Sequence, residues 1–96
     1  MTQADTLHTV AILKALADEM RLGIVKEIAR HEGSVSSCDI VKACAKRAAL
    51  SQPAISHHFH RLVAAQILLI EKCGTQNRYR LNAAYVRQHG IDITQM

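Results

Sequence analysis

Hydrophobic residues recur along the first half of the chain at the three- and four-residue spacing of amphipathic helices. Residues 6–16 carry this pattern and predict a first helix. Asp18 has the side chain of an N-cap residue and predicts a second helix, with an apolar face of Leu22, Val25, Ile28 and Ala29. Ser36, followed three residues later by Asp39, resembles a capping box and predicts a third helix to about residue 45.

A fourth helix is predicted from Ser51, because Pro53 then falls in the first turn, where a missing backbone N–H costs nothing. At about 100° per residue, its two sides differ in chemistry. The apolar side carries Ile55, Phe59, Leu62 and Val63. The opposite side carries Pro53, His57, His60 and Arg61 and is predicted to be solvated and basic.

After residue 66 the period changes from helical to alternating. Residues 68–72 favour a strand, residues 73–77 are polar and include Gly74, and residues 78–81 alternate charged and apolar side chains. The pattern predicts a β-hairpin with Arg78 and Arg80 on one face, followed by a short helix over 83–89. The fold class is therefore mainly α with a small β-hairpin, arranged as a winged helix-turn-helix.

Composition limits the architecture. With 96 residues, of which 49% are hydrophobic and 21% charged, the chain predicts a single domain over 1–96 with a thin core. No apolar run approaches the roughly 20 residues of a membrane span, and the first five residues predict no secretory signal. Three cysteines, an odd number without zinc-finger spacing, favour a reducing, cytoplasmic location.

The net charge of +4 is unevenly distributed. Residues 1–39 sum to −2, whereas residues 40–80 sum to +6, with seven basic residues against Glu71. A basic second half is typical of a face that binds a polyanion. A solvated surface without a partner is the alternative interpretation of the same charge distribution. Three aromatic residues offer little stacking surface for unpaired bases, which favours double-stranded over single-stranded nucleic acid.

The run from Leu50 to Phe59, together with Leu62, resembles the recognition helix of the arsenical-repressor (ArsR/SmtB) family of winged-helix regulators. Residues 13–18 and 21–25 resemble that family's entry into its second helix, and residues 78–82 resemble the end of its wing. The resemblance thus implies that the hairpin over 68–82 is the wing of this chain. The resemblance implies a sequence-specific transcriptional regulator of double-stranded DNA. It also implies a dimeric repressor at an inverted repeat.

Recognition of a major groove requires short polar side chains near a helix N-terminus, and phosphates favour basic ones. Base contacts are predicted for Gln52, Ser56 and His57, with Ala54 against a thymine methyl and Ser51 beside a phosphate. His60 belongs to the same face. Contacts with phosphates of the DNA backbone are predicted for Arg61, Arg78 and Arg80. His58 lies toward the apolar side and is predicted to be a packing residue.

The resemblance implies a dimer interface formed by the first and last helices. In this sequence it is predicted to involve Leu7, Val10, Leu13, Tyr85 and Val86. Two departures from the family concern other regions. The link between the third and fourth helices, residues 44–50, is longer, and Gln66 stands where relatives often have a helix-ending glycine.

The sequence does not specify a metal-sensing or thiol-sensing site like those of the relatives. The thiol-sensing relatives have two cysteines, separated by one residue, at the start of the third helix, whereas here Ser36 precedes Cys38 at that spacing. One thiolate does not make a soft-metal site, and Asp92 with His89 does not reproduce the family's zinc set. His57 and His60 could chelate weakly but lie on the predicted DNA face. No metal or cofactor is predicted.

Each of the three cysteines has its own interpretation. Cys38, in the first turn of a helix, is either a redox thiol or an inert half-buried one. Cys44 is predicted to be a core residue, and Cys73 is predicted to be exposed.

The alternative function is a winged-helix protein-interaction module without DNA binding, which would have an apolar or acidic recognition face. An enzyme is not favoured, because the sequence lacks a nucleophile–base pair, a Gly-rich phosphate loop and paired carboxylates.

Overall fold

The computed structural model describes residues 3–45 and 52–96, and the side chains of 5–44 and 54–96. The elements in chain order are α1 (Gln3–Leu16), α2 (Glu19–Ala29), β1 (Val35–Ser36), α3 (Ser37–Ala45), α4 (Gln52–Ala64), β2 (Leu68–Cys73), β3 (Gln76–Leu81), α5 (Ala83–Gln88) and a 3-10 helix (Ile93–Gln95). The predicted helical fold with a hairpin is confirmed. The longer link at 46–50 and the predicted cap Ser51 lie outside the described residues. In these ranges no helix has both the length and the apolar character that a membrane span requires.

The predicted N-cap of α2 is confirmed. The Asp18 carboxylate accepts a hydrogen bond from the backbone N–H of Arg21 at 2.9 Å. This bond, which favours the charged form, lowers the pKa of the Asp18 carboxyl. The start of α2 is therefore fixed by a local signal that the sequence carries.

The predicted cap of α3 is also present, but Ser36 has a second role that the sequence did not indicate. Its hydroxyl accepts a hydrogen bond from the Asp39 N–H at 3.2 Å, while its backbone belongs to β1. Strand β1 pairs antiparallel with β3, with Val35 opposite Tyr79 and Ser36 opposite Arg78. The sheet therefore has three strands in the order β1-β3-β2, one more than the predicted hairpin.

The core is shared by all the helices and the sheet. Its fully buried members are Ile12, Ile24, Val25, Ile28, Ile40, Leu62, Ile67, Leu68 and Val86. Helix α4 enters this core with Ile55, Phe59 and Leu62, as its periodicity predicts. The Phe59 ring stacks on the Tyr79 ring of β3 with 4.4 Å between centroids and 6° between planes. This stack joins α4 directly to the hairpin.

Gln66 ends α4 in the left-handed region, with φ of 63°. Its N–H donates to the Val63 carbonyl at 2.9 Å, and the Ile67 N–H donates to the Leu62 carbonyl at 3.1 Å. These two bonds form the pattern that usually has glycine at this position. The glycine-like role that the family resemblance implies for residue 66 is thus performed by a residue with a Cβ.

Replacing Gln66 by glycine is expected to stabilise the protein. The left-handed conformation costs a residue with a Cβ about 1–2 kcal/mol, and the greater freedom of glycine in the unfolded chain offsets about 0.4–1 kcal/mol of that. We expect a net gain of about 0.5–1 kcal/mol, or roughly 2–8 °C in thermal midpoint. Thermal unfolding of Gln66→Gly tests this, with Gln66→Ala, which keeps the Cβ, as the control. A lower midpoint for the glycine variant would contradict it.

Candidate nucleic-acid interface

The outer face of α4 is exposed and basic. Ser56, His57, His60 and Arg61 are exposed, and Ala54 is half-buried beside them. This places the predicted contact residues opposite the buried face of Ile55, Phe59 and Leu62. Ser51 and the side chain of Gln52 lie outside the described residues, so their predicted contacts are not located.

Two clefts flank this face and bring further cations to it. One, of about 250 Å³, runs from Ser56 to the start of α3 and includes Lys42 and Asn77. The other, of about 400 Å³, runs from Ser56 and His60 to the hairpin and includes Lys72. Neither lysine was predicted as a contact residue. The excess positive charge of residues 40–80 was the available signal for both.

The two hairpin arginines differ in their surroundings. Arg80 is exposed and lies 3.5 Å from the Glu71 carboxylate, an exposed pair of the kind that contributes little stability. Arg78 is half-buried, and its Nε and NH2 donate to the Ser34 hydroxyl and carbonyl, both at 2.9 Å. Arg78 therefore joins the hairpin to the segment before β1, a contact that the sequence did not reveal. Arg80 is the more accessible of the two.

His58 is half-buried, as its predicted packing position implies, with 16% of its side chain exposed. Its partners are polar, however. The Nδ1 atom lies 3.4 Å from Arg21 NH1 and 4.0 Å from Asp18 Oδ2, both at the start of α2. Tyr79, below the neighbouring Phe59, is buried, and this burial raises the pKa of its hydroxyl.

An apolar stripe is exposed on α1. Leu7, Val10 and Leu13 are 61%, 39% and 48% exposed. Tyr85 on α5 is half-buried and packs edge-on against His89, whose Nδ1 lies 2.9 Å from the hydroxyl of Thr9 on α1. Val86 differs from its prediction. It is 1% exposed and packs in the core of this chain, so its side chain has no surface with which to contact a partner.

The three thiols lie in different environments. Cys44 is buried, which confirms its prediction as a core residue, whereas Cys38 and Cys73 are exposed. Cys38 lies in the first turn of α3 and lines the same cleft as Ser56. Within the described ranges, no three His, Cys, Asp or Glu side chains are grouped so that they could hold a metal ion.

The chain has curated relatives. It is 32% identical over 75 residues to the arsenical resistance operon repressor of Staphylococcus xylosus, a match that covers 78% of this chain and 66% of that protein. It is 38% identical over 76 residues to the arsenical resistance operon repressor of Escherichia coli (strain K12), covering 79% and 61%. The chain belongs to the arsenical-repressor (ArsR/SmtB) family. No protein-family model matches it.

Membership in the ArsR/SmtB family agrees with the fold. The structure superposes on HlyU from Vibrio cholerae N16961 with a TM-score of 0.75 and 24% identity, covering 91% of this chain and 88% of HlyU. At that identity the likeness concerns the winged-helix fold alone. The ArsR/SmtB match spans 66% and 61% of the two repressors' lengths, which is less than two thirds of each.

Proposed function

We propose that this protein is a sequence-specific, double-stranded DNA-binding transcriptional regulator that acts as a dimeric repressor at an inverted repeat. The observation that carries the proposal is the exposed polar and basic face of α4, set opposite the buried face of the same helix. A helix divided in this way suits the major groove, with polar side chains toward base edges and apolar ones holding it on the domain. The arsenical repressor names of the relatives support a regulatory rather than an enzymatic role.

The proposed DNA contacts are of two kinds, contacts with bases and contacts with the sugar–phosphate backbone. Gln52, Ser56 and His57 hydrogen-bond to bases, and Ala54 contacts a thymine methyl. Ser51, His60, Arg61 and Arg80 lie along the backbone, and Lys42 and Lys72 add cations on either side of Ser56. Arg78 supports the wing through Ser34 and adds positive charge beside the phosphates. The location that goes with this role is the cytoplasm.

The dimer in this proposal forms through α1. One recognition helix contacts only a few base pairs, so a two-fold pair is the usual way to gain specificity. The stripe of Leu7, Val10 and Leu13 supplies exposed apolar area on α1. Tyr85 on α5 is linked to α1 through His89, which contacts both Tyr85 and Thr9. Exposed apolar area of this kind is a typical site of protein association.

Selection from random duplexes tests the proposal. The reduced, metal-free protein near physiological salt is expected to enrich an inverted repeat, because two identical helices contact two identical half-sites. The spacing between half-sites then gives the distance between the two copies of α4. Enrichment of no sequence above background would contradict the proposal and favour a protein-interaction module.

Two variants test the division of contacts. His57→Ala is expected to relax preference at one base position of each half-site by about tenfold, since one base contact is worth about 1–3 kcal/mol. Arg61→Ala is expected to weaken all duplexes by a similar factor and to reduce the salt slope by about 1. Lys26→Ala removes the same charge from an exposed position of α2 and serves as the control. If His57→Ala and Arg61→Ala lost affinity equally on every duplex sequence, the assignment of His57 to bases and Arg61 to the backbone would be refuted.

A further inference from the structure

His58 turns away from the DNA face of α4, toward the start of α2. Its side chain is 16% exposed, whereas the neighbouring His57 is exposed to solvent. At the start of α2, Arg21 NH1 lies 3.4 Å from Nδ1, and Oδ2 of the N-cap residue Asp18 lies 4.0 Å from it. A half-buried imidazole is thus placed between two helices, one residue from a proposed base contact.

Arg21 is itself held by α1 and by the cap of its own helix, α2. Its Nε donates to the Ala15 carbonyl at 2.6 Å, at the C-terminal end of α1, and its backbone N–H donates to the Asp18 carboxylate. A guanidinium has donors only, so a hydrogen bond between these two groups requires His58 Nδ1 to be the acceptor and the ring proton to be on Nε2. The imidazole therefore connects α4 to a group that already connects α1 and α2.

Directional contacts and apolar burial have different effects on a helix. Ile55, Phe59 and Leu62 hold α4 on the core, but apolar burial is non-directional and tolerates small rotations about the helix axis. Base recognition requires side chains to be held within about 0.5 Å of their bound positions. A hydrogen bond from a fixed guanidinium restricts rotation at the turn that carries His57.

We infer that His58 is a positioning residue for DNA recognition, which orients the outer face of α4 by accepting a hydrogen bond from Arg21. The inference rests on the proposed function. It assigns the sequence preference of α4 partly to a side chain that points away from DNA. His58 contributes to the affinity for the cognate duplex and has little effect on the affinity for random duplexes.

Substitutions at His58 test this through specificity. His58→Ala is expected to lower affinity for the selected inverted repeat about tenfold, or 1.4 kcal/mol, with the salt slope unchanged because the phosphate contacts remain. His58→Asn places its amide oxygen near the position of Nδ1 and is expected to restore most of the affinity. His58→Gln, whose amide lies near the position of Nε2, is not expected to restore the affinity. Should the alanine variant fail to fold, the comparison of asparagine with glutamine decides. Equal affinities for those two variants would overturn the inference.

A double-mutant cycle separates positioning from direct contact. If His58 acts through Arg21, the loss for His58→Ala with Arg21→Ala is smaller than the sum of the single losses. The matched control is Arg30→Ala, which removes the same charge from the end of α2 at a residue bonded to Glu27, and its loss is additive with His58→Ala. Additive losses with Arg21→Ala would overturn the inference while wild-type binding upholds the proposed function. Absence of wild-type binding to any duplex would overturn both.

Discussion

Replacing both Leu7 and Leu13 by aspartate is expected to convert the proposed dimer into monomers and to lower affinity for the proposed inverted repeat about 100-fold or more. Two linked recognition helices bind with an avidity roughly 10²–10⁴ times that of one, and this gain is lost when the protomers separate. Both leucines are exposed in the protomer, at 61% and 48%, so the fold tolerates the change. Sedimentation with titration of the selected duplex measures both effects.

The control for this prediction is the uncharged pair Leu7→Asn with Leu13→Asn. It removes the apolar stripe without adding negative charge near DNA, so it is expected to dissociate the dimer without electrostatic repulsion of the duplex. If the double aspartate and double asparagine variants lost similar affinity for the duplex, the loss would be due to dissociation of the dimer. A double aspartate variant that remains dimeric would place the interface elsewhere.

Replacing Phe59 by alanine is expected to reduce the free energy of unfolding by about 3–5 kcal/mol, a large fraction of the 5–15 kcal/mol typical of a domain. The ring is 4% exposed and stacks on Tyr79, so its removal leaves a cavity between α4 and the wing. Urea unfolding monitored by circular dichroism measures the loss. Phe59→Leu, which refills most of the space without an aromatic face, is expected to cost less than half as much. A loss below about 1 kcal/mol for the alanine variant would mean that the α4–wing contact contributes little to stability.

The sequence predicted the features that depend on neighbouring residues. The two sides of α4 follow from a helical period, and the Asp18 cap follows from a side chain that bonds three residues ahead. The exposure of His57, His60 and Arg61 followed from the same period. Each of these depends on geometry within one or two turns, which residue spacing encodes directly.

Features that depend on distant residues were not predicted. β1 has only two residues, and its strand character arises from pairing with β3 rather than from its own composition. Arg78 and Ser34 are 44 residues apart, and His58 and Arg21 are 37 apart, so no spacing rule relates them. Val86 was assigned to an interface because a helical pattern shows which residues are apolar but not which neighbour covers them.

The position of Ser36 has a mechanical consequence for the wing. Strand β1 ends at Ser36 and α3 begins at Ser37, so no spacer separates the sheet from the helix. The same residue pairs with Arg78 of β3 and accepts the hydrogen bond that caps α3. In the proposed DNA complex, we expect a force from the sugar–phosphate backbone on the hairpin to reach α3 through Ser36, because no loop separates β1 from α3. We therefore expect the hairpin and α3 to move as one unit, together with the exposed Cys38 thiol in the first turn of α3.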